Sequence, residues 1–150
     1  MVTALRLVTS GADWQALHAI RRVTLFAPGR LHPDVVYDDN HPDDHAPGHL
    51  PFLLIEGDAA VGMLRLDILA ETGTVRLVAI VPELQGRGHG RALEALAAAE
   101  ARQRGVTRLR LNAAPAAVGF YEKTGWRREV WDPSELTGIA SHCVQMVKEL

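Results

Sequence analysis

The sequence predicts a single α/β domain, a mixed and mostly antiparallel sheet flanked by helices. Three observations predict it. Phe52–Glu56, Val61–Leu69 and Thr74–Val81 are apolar runs separated by the short turns Gly57-Asp58 and Glu71-Thr72-Gly73, which reads as an antiparallel meander. The third run is stopped by Pro82 and enters the glycine-rich turn Gly86-Arg87-Gly88-His89-Gly90, after which a helix begins. The next apolar run, Val106–Leu111, follows that helical crossover, so it should lie parallel to the strand before the helix.

In chain order, Leu5 and Leu7 alternate with Arg6, as in an edge strand over residues 3–8. Ser10-x-x-Asp13 forms a capping box for a helix carrying Trp14, Leu17, Ile20 and Thr24 at helical spacing, and Pro28-Gly29 ends it. From Gly29 to Pro51 runs a loop-rich segment dense in Asp and His. Its two readings, a solvated loop of turn formers and an acidic lip that attracts a cation, both stay open. His41, His45 and His49 are four residues apart, a spacing that brings ligands together only on a helix; Pro42 and Pro47 argue against one, so no metal site is expected.

In the hairpin, Arg65 and Asp67 alternate with Leu64, Leu66 and Ile68. The helix from about Gly88 to Arg104 is rich in alanine, suited to close packing on a sheet, and Gly105 closes it. Pro115 starts a short helix that ends near Gly125. Strands over Trp126–Trp131 and Cys143–Val147 complete the sheet.

Composition narrows the function. A chain of 150 residues with 47% hydrophobic and 23% charged residues is long enough for one well-buried core. The net charge of −2 argues against a nucleic-acid partner, whose binding rests on neutralising phosphates. The one cysteine, Cys143, can form no internal disulfide, no secretory pattern opens the chain, and no apolar run approaches the ~20 residues of a membrane span. A cytoplasmic protein without membrane contact is expected.

A strand entering a glycine-rich helix start is suited to hold an anion. Its first backbone N–H groups lack helical partners, the helix dipole adds positive charge, and glycines permit close approach. Two dinucleotide and nucleotide fingerprints fail here. G-x-G-x-x-G counted from Gly86 places Arg91 at the third glycine, and the next strand ends in Asn112 rather than an acidic residue. No Lys-Ser or Lys-Thr follows for a P-loop. The pattern that matches is Gln/Arg-x-x-Gly-x-Gly/Ala, read as Gln85, Gly88 and Gly90, followed by Asn112 and by Gly119-Phe120-Tyr121-Glu122-Lys123-Thr124-Gly125-Trp126. Over roughly residues 74–131 the chain resembles the GNAT superfamily of acyl-CoA-dependent N-acyltransferases; His89 stands where that family often has an aliphatic residue.

The resemblance implies a fold in which the two central parallel strands splay apart to admit pantetheine. It also implies acetyl-CoA as cosubstrate and an amine as acceptor. It places the pyrophosphate on Gln85, Gly86, Arg87, Gly88, His89, Gly90 and Arg91, the pantetheine and acyl carbonyl along the backbone of Ile80 and Val81, and Asn112 at the gap. Tyr121 is then the candidate acid for the leaving thiolate, since a phenol of pKa near ~10 stays protonated at neutral pH. For the base, His142, Glu71, Glu83 and Asp39 are all open, with His142 titrating in the right range. Asp39 and His41 are the candidate acceptor-binding residues. Direct transfer needs no enzyme nucleophile, so Cys143 is not assigned one. A binding module that keeps the acyl-CoA cradle as a sensor is the alternative, and pairing of the last strands between subunits is open.

Overall fold

The structure is a computed structural model, which describes residues 2–30 and 34–150. Positions 31–33 of the predicted 29–51 loop lie outside the described residues. Among the described residues seven strands form one sheet in the order β1-β2-β3-β4-β5-β7-β6. They are β1 (Thr3–Leu7), β2 (His49–Glu56), β3 (Ala59–Leu69), β4 (Thr72–Ile80), β5 (Arg108–Ala113), β6 (Arg127–Arg128) and β7 (Val144–Glu149). Among the described residues three α-helices accompany them: α1 (Gly11–Val23), α2 (His89–Gln103) and α3 (Val118–Lys123).

The feature that positions everything else is the β4/β5 junction. These strands are parallel, as the crossover predicts, but they pair only at Thr72–Arg108, Gly73–Leu109 and Thr74–Arg110. Beyond Thr74, β4 continues to pair with β3 as far as Ile80–Gly62, while β5 pairs with β7 as far as Ala113–Val144. The sheet therefore opens into a V between two half-sheets. Gly73 sits mid-ladder, one residue before the opening, where an added Cβ would meet Leu109 Cδ2 and Leu66 Cδ1 at 3.0 Å.

β4 also carries a bulge. The register passes from Met63–Ala79 to Arg65–Arg76, so two intervals on β3 face three on β4, and Leu77 adopts φ +56°. A left-handed branched-chain residue in mid-strand is strained backbone, and bulges of this kind re-aim strand groups at sites.

Two apolar layers fix the V. On one face α1 packs Leu17 and Ile20 against Leu53, Ile55, Met63 and Ala79. On the other, Leu93, Ala97, Ala98 and Ala101 of α2 pack against Phe52, Leu54, Leu64, Leu66 and Val75. Burying each large side chain contributes about 1.5–3 kcal/mol, and Leu93→Ala would cost about 2–5 kcal/mol.

Several expected boundaries move. The Ser10 hydroxyl accepts the Asp13 N–H (3.1 Å), but the Asp13 carboxylate pairs with Arg6 (2.8 Å), so half of the expected capping box is formed. Helix α1 ends at Val23, before Pro28, because Thr24 leaves helical geometry and its hydroxyl bonds back to Ile20 O (2.6 Å). The Trp126–Trp131 strand shrinks to Arg127–Arg128: the N–H groups of Trp131 and Asp132 both turn to the Gln145 side chain at 2.8 Å. The last strand begins at Val144, and His142 ends a 3-10 turn, Gly138–His142, before it. β2 starts at His49 and takes in Pro51, earlier than the apolar run suggests.

Candidate active site

On the α2 side of the V, β4 runs through the 3-10 turn Pro82–Leu84 into the glycine-rich turn. Gln85 Nε2 donates to Ile80 O (2.9 Å), tying the turn to the strand end. Gly86 (φ +77°) and Gly88 (φ +91°) take left-handed backbone that side chains rarely adopt. Gly88 is the N-cap of α2, so no side chain caps the helix, and no acidic residue occupies the first turn. The first N–H groups of α2 thus stay open to an anion, with exposed Arg87 and Arg91 beside them. His89 is buried at the first helical position, with Nε2 against the Glu56 carboxylate and Nδ1 without a partner. The residues fit a pyrophosphate: open donors, positive dipole, flanking guanidinium groups and no acidic residue in the first turn of α2, the nearby Glu56 carboxylate being engaged by His89.

Tyr121 on α3 lines a narrow apolar cleft with Val78, Gly90, Leu93, Phe120 and Trp126. Its ring meets Phe120 and Trp126 edge-on, at 5.1 and 5.6 Å between centroids. Burial, with a lesser contribution from the Glu94 charge, pushes the phenol up to about 12. Glu94 is held by Lys148 Nζ (2.5 Å) and Trp126 Nε1 (3.1 Å). Tyr121 is therefore more firmly protonated than a phenol of ordinary pKa.

The opposite side of the V holds a cavity of about 300 Å³, lined in part by Phe26, Tyr37, His41, Asp43, Arg76 and Leu77 of the bulge. Its floor is a chain of charges. Arg21 donates twice to Asp44 (2.8 and 3.0 Å), Arg65 bridges Asp44 (3.1 Å) and Asp67 (2.7 and 3.0 Å), and Arg76 donates twice to Glu135 (2.7 and 3.1 Å). Burial alone would raise the Asp44 carboxyl; hydrogen bonds from Arg21 and Arg65 outweigh it and hold it below its ordinary value. Arg76 does the same for Glu135.

The structure brings Ile80, Val81 and Gln85–Arg91 together at one lip and Tyr121 inside the cleft. Asn112 lies near the end of β5, but its amide is engaged at both ends, donating to Glu135 Oε1 (3.0 Å) and accepting from Gln145 Nε2 (3.0 Å). His41 lines the cavity; its Nδ1 accepts the Asp43 N–H (3.1 Å). Asp39 is exposed and paired with Arg22 (2.8 Å), and His142 is exposed on its turn; neither is among the residues lining the cavity or the Tyr121 cleft. Among the described residues no group of three or more His, Cys, Asp or Glu side chains is arranged to hold a metal ion, and no helix is long and apolar enough to cross a membrane.

Sequence reasoning misses Arg21, Arg65, Arg76, Glu135, Tyr37 and Glu94, and it reaches Asp44 only as one of several acids of the candidate lip. The available signal was Arg65-x-Asp67 within an apolar strand. That polar face reads as solvent-facing, but the 34–48 segment folds over it and supplies Asp44.

A parallel pair parted beyond a three-residue ladder, with an uncapped helix start at one lip, defines an acyl-CoA transferase fold of the GNAT type. The family model described as the Acetyltransferase (GNAT) family matches residues 14–126, and the chain belongs to that family. A curated relative, serotonin N-acetyltransferase 2, chloroplastic, of Oryza sativa subsp. japonica, is 29% identical over 109 residues, 73% of this chain. The match covers 48% of that relative, so this chain aligns with about half its length. Among solved structures, an N-acetyltransferase-like protein from Lactobacillus plantarum superposes with a TM-score of 0.80 at 24% identity, covering 100% of this chain and 99% of that one. The PaiA N-acetyltransferase from Thermoplasma acidophilum, in complex with coenzyme A, gives 0.77 at 17% identity, covering 100% of both chains. At these identities the structural likenesses establish the fold.

Proposed function

We propose that the protein transfers an acetyl group from acetyl-CoA to the nitrogen of a cationic primary amine. The observation that carries this reading is the opening of the sheet beyond Thr74–Arg110, which puts the glycine-rich helix start and Tyr121 on one side and the Leu77 cavity on the other. Backbone N–H groups between Gly86 and Arg91 bind the pyrophosphate, and the backbone at Ile80 and Val81 lines the pantetheine path. Tyr121 stabilises and protonates the departing thiolate. A phenol at about 12 is a weak donor to a thiolate in water. The thiolate leaves within the same apolar cleft, however, and desolvation raises its proton affinity too. Strand β4 provides backbone donors near the bulge for the oxyanion.

The cavity wall selects the acceptor. Asp38 and Asp43 give negative charge near its mouth, and Phe26 and Tyr37 give an aromatic flank, which suits an amine with an apolar or aromatic body. The rice relative is named for serotonin, and a structural neighbour at 19% identity is a chimera of the spermidine N-acetyltransferase SpeG, so both names point to amine acceptors. The lone Cys143 is compatible with a reducing compartment, and we place the reaction in the cytoplasm.

The test is calorimetric titration with CoA and acetyl-CoA, then thiol release over a panel containing serotonin, spermidine, 2-phenylethylamine and amino acids. Binding with release for one amine class supports the reading. Binding without release for any amine favours a sensor that only holds the acyl-CoA.

A further inference from the structure

Strand β4 carries no carboxylate, and of the carboxylates that line the cavity Asp38 and Asp43 are exposed to solvent. Asp44, the buried one, is held by two arginines and is a poor proton acceptor; Glu135, outside the lining, is held by Arg76 and Asn112. His41 also lines the cavity, but in its neutral form the Nδ1 lone pair is taken by the Asp43 N–H, so Nε2 carries the proton and no lone pair is free.

A different pair stands at the wall of the same cavity, Tyr37 in its lining and His18 bonded behind it. Trp14, His18 and Arg21 share one face of α1, at i, i+4 and i+7. His18 Nδ1 lies 2.5 Å from Tyr37 Oη, and Arg21 Nη1 approaches the same oxygen at 3.5 Å. The imidazole is fixed between the Trp14 ring (5.7 Å, stacked) and the Tyr37 ring (5.7 Å), and Tyr37 is backed by Phe26 at 4.7 Å. Tyr37 and Leu77 line one cavity, so a phenolic oxygen and the β4 bulge face a shared space.

We propose that Tyr37 and His18 form the proton exit from the acceptor nitrogen, Tyr37 touching the amine and His18 acting through it. This rests on the acetyl-transfer reading above. The amine gives its first proton to solvent and attacks as the neutral form; as its nitrogen bonds to the thioester carbon it becomes positively charged. One N–H proton passes to Tyr37 Oη while the Tyr37 proton passes to His18 Nδ1. The carbonyl re-forms, the C–S bond breaks, and sulfur takes the proton of Tyr121. His18 then releases its proton to solvent and Tyr121 regains one, so amine and thioester become amide and thiol with no other change. The relay requires neutral His18. Burial lowers its pKa below 6.5, as does the Arg21 charge, against the opposing Asp44 and Asp39 and with Arg22 adding to the lowering. Tyr37 stays protonated, since burial raises its phenol despite Arg21.

The experiment measures thiol release from acetyl-CoA with 2-phenylethylamine, or with the panel amine that releases most thiol, for the full chain and for His18→Asn and Tyr37→Phe. The Asn amide oxygen can stand near the place of Nδ1 and hold Tyr37, but it takes no proton. Expected are a kcat lower by about 10–100-fold in each variant, a largely unchanged KM for acetyl-CoA, and loss from His18→Asn of the acid limb that wild-type kcat shows below pH 6.5 at saturating amine. A His18→Asn enzyme with wild-type kcat and an unchanged acid limb overturns the relay and leaves acetyl transfer standing. No thiol release by wild type with any amine of the panel overturns the transfer reading, and the relay with it.

Discussion

Arg76 on β4 and Glu135 beyond β6 meet across the opening of the sheet, with Nη1 and Nη2 at 2.7 and 3.1 Å from the two carboxylate oxygens. Because Glu135 Oε1 also accepts from Asn112 on β5, one carboxylate joins the two lips of the V where they have no ladder in common. The spacing of the lips is thus set by side chains once the backbone bonds stop at Thr74 and Arg110.

Glu135→Gln should lower stability by about 1 kcal/mol, a modest figure because the pair is partly exposed. The folded carboxyl lies below its ordinary 4.5, chiefly through Arg76. Its contribution is therefore complete above the unfolded value and fades as pH falls through the folded one. Urea unfolding across pH should show the two proteins converging in acid.

Asp44→Asn should cost more, about 3–5 kcal/mol, because it removes the negative partner of two buried guanidinium groups. Arg21, Asp44 and Arg65 are 2, 3 and 5% exposed, so solvent cannot replace the lost charge. The sign is again that of a depressed carboxyl, with stability lost as pH falls below the ordinary 3.8. A melting temperature within a degree or so of wild type at neutral pH would show that this charge does not hold the loop on the sheet.

Tyr121→Phe should reduce kcat by roughly 10–10³-fold and leave the Kd for CoA nearly unchanged. With the phenol at about 12, no alkaline limb from Tyr121 is expected in the pH–kcat profile below about pH 11. Steady-state thiol release and calorimetry separate the two effects.

Gly88→Val should abolish CoA binding. A branched side chain is strained at φ +91°, and Gly88 is the N-cap of the helix start proposed to bind the pyrophosphate. Normal CoA affinity in a folded Gly88→Val protein would remove the cradle from this turn.

Much of this was legible in the sequence. Periodicity located the β2–β4 meander, Pro82 and the glycines located the start of α2, and the crossover gave the parallel β4/β5 pair. The glycine-rich helix start and the short helix that carries Tyr121 were readable because each has its own local motif within one stretch of chain. The acceptor side was not. Arg21, Asp44, Arg65 and Arg76 come from four separate segments and are joined only by tertiary packing, so no local spacing selects them. Asn112 illustrates the same limit: its place near the strand end was foreseen, but its bonds to Glu135 and Gln145 come from chain beyond the matching motif. His142 titrates in the right range, yet the turn after β6 leaves it exposed and outside the lining of either cleft.

The most direct test is a single-turnover reaction of the purified protein with acetyl-CoA and each amine of the panel, following free thiol and the mass of the amine together. The structure predicts one acetylated amine per thiol released, for a cationic amine with an apolar body, and no product from Gly88→Val. Acetyl-CoA that binds but yields neither thiol nor acetylated amine with any acceptor would contradict the assignment.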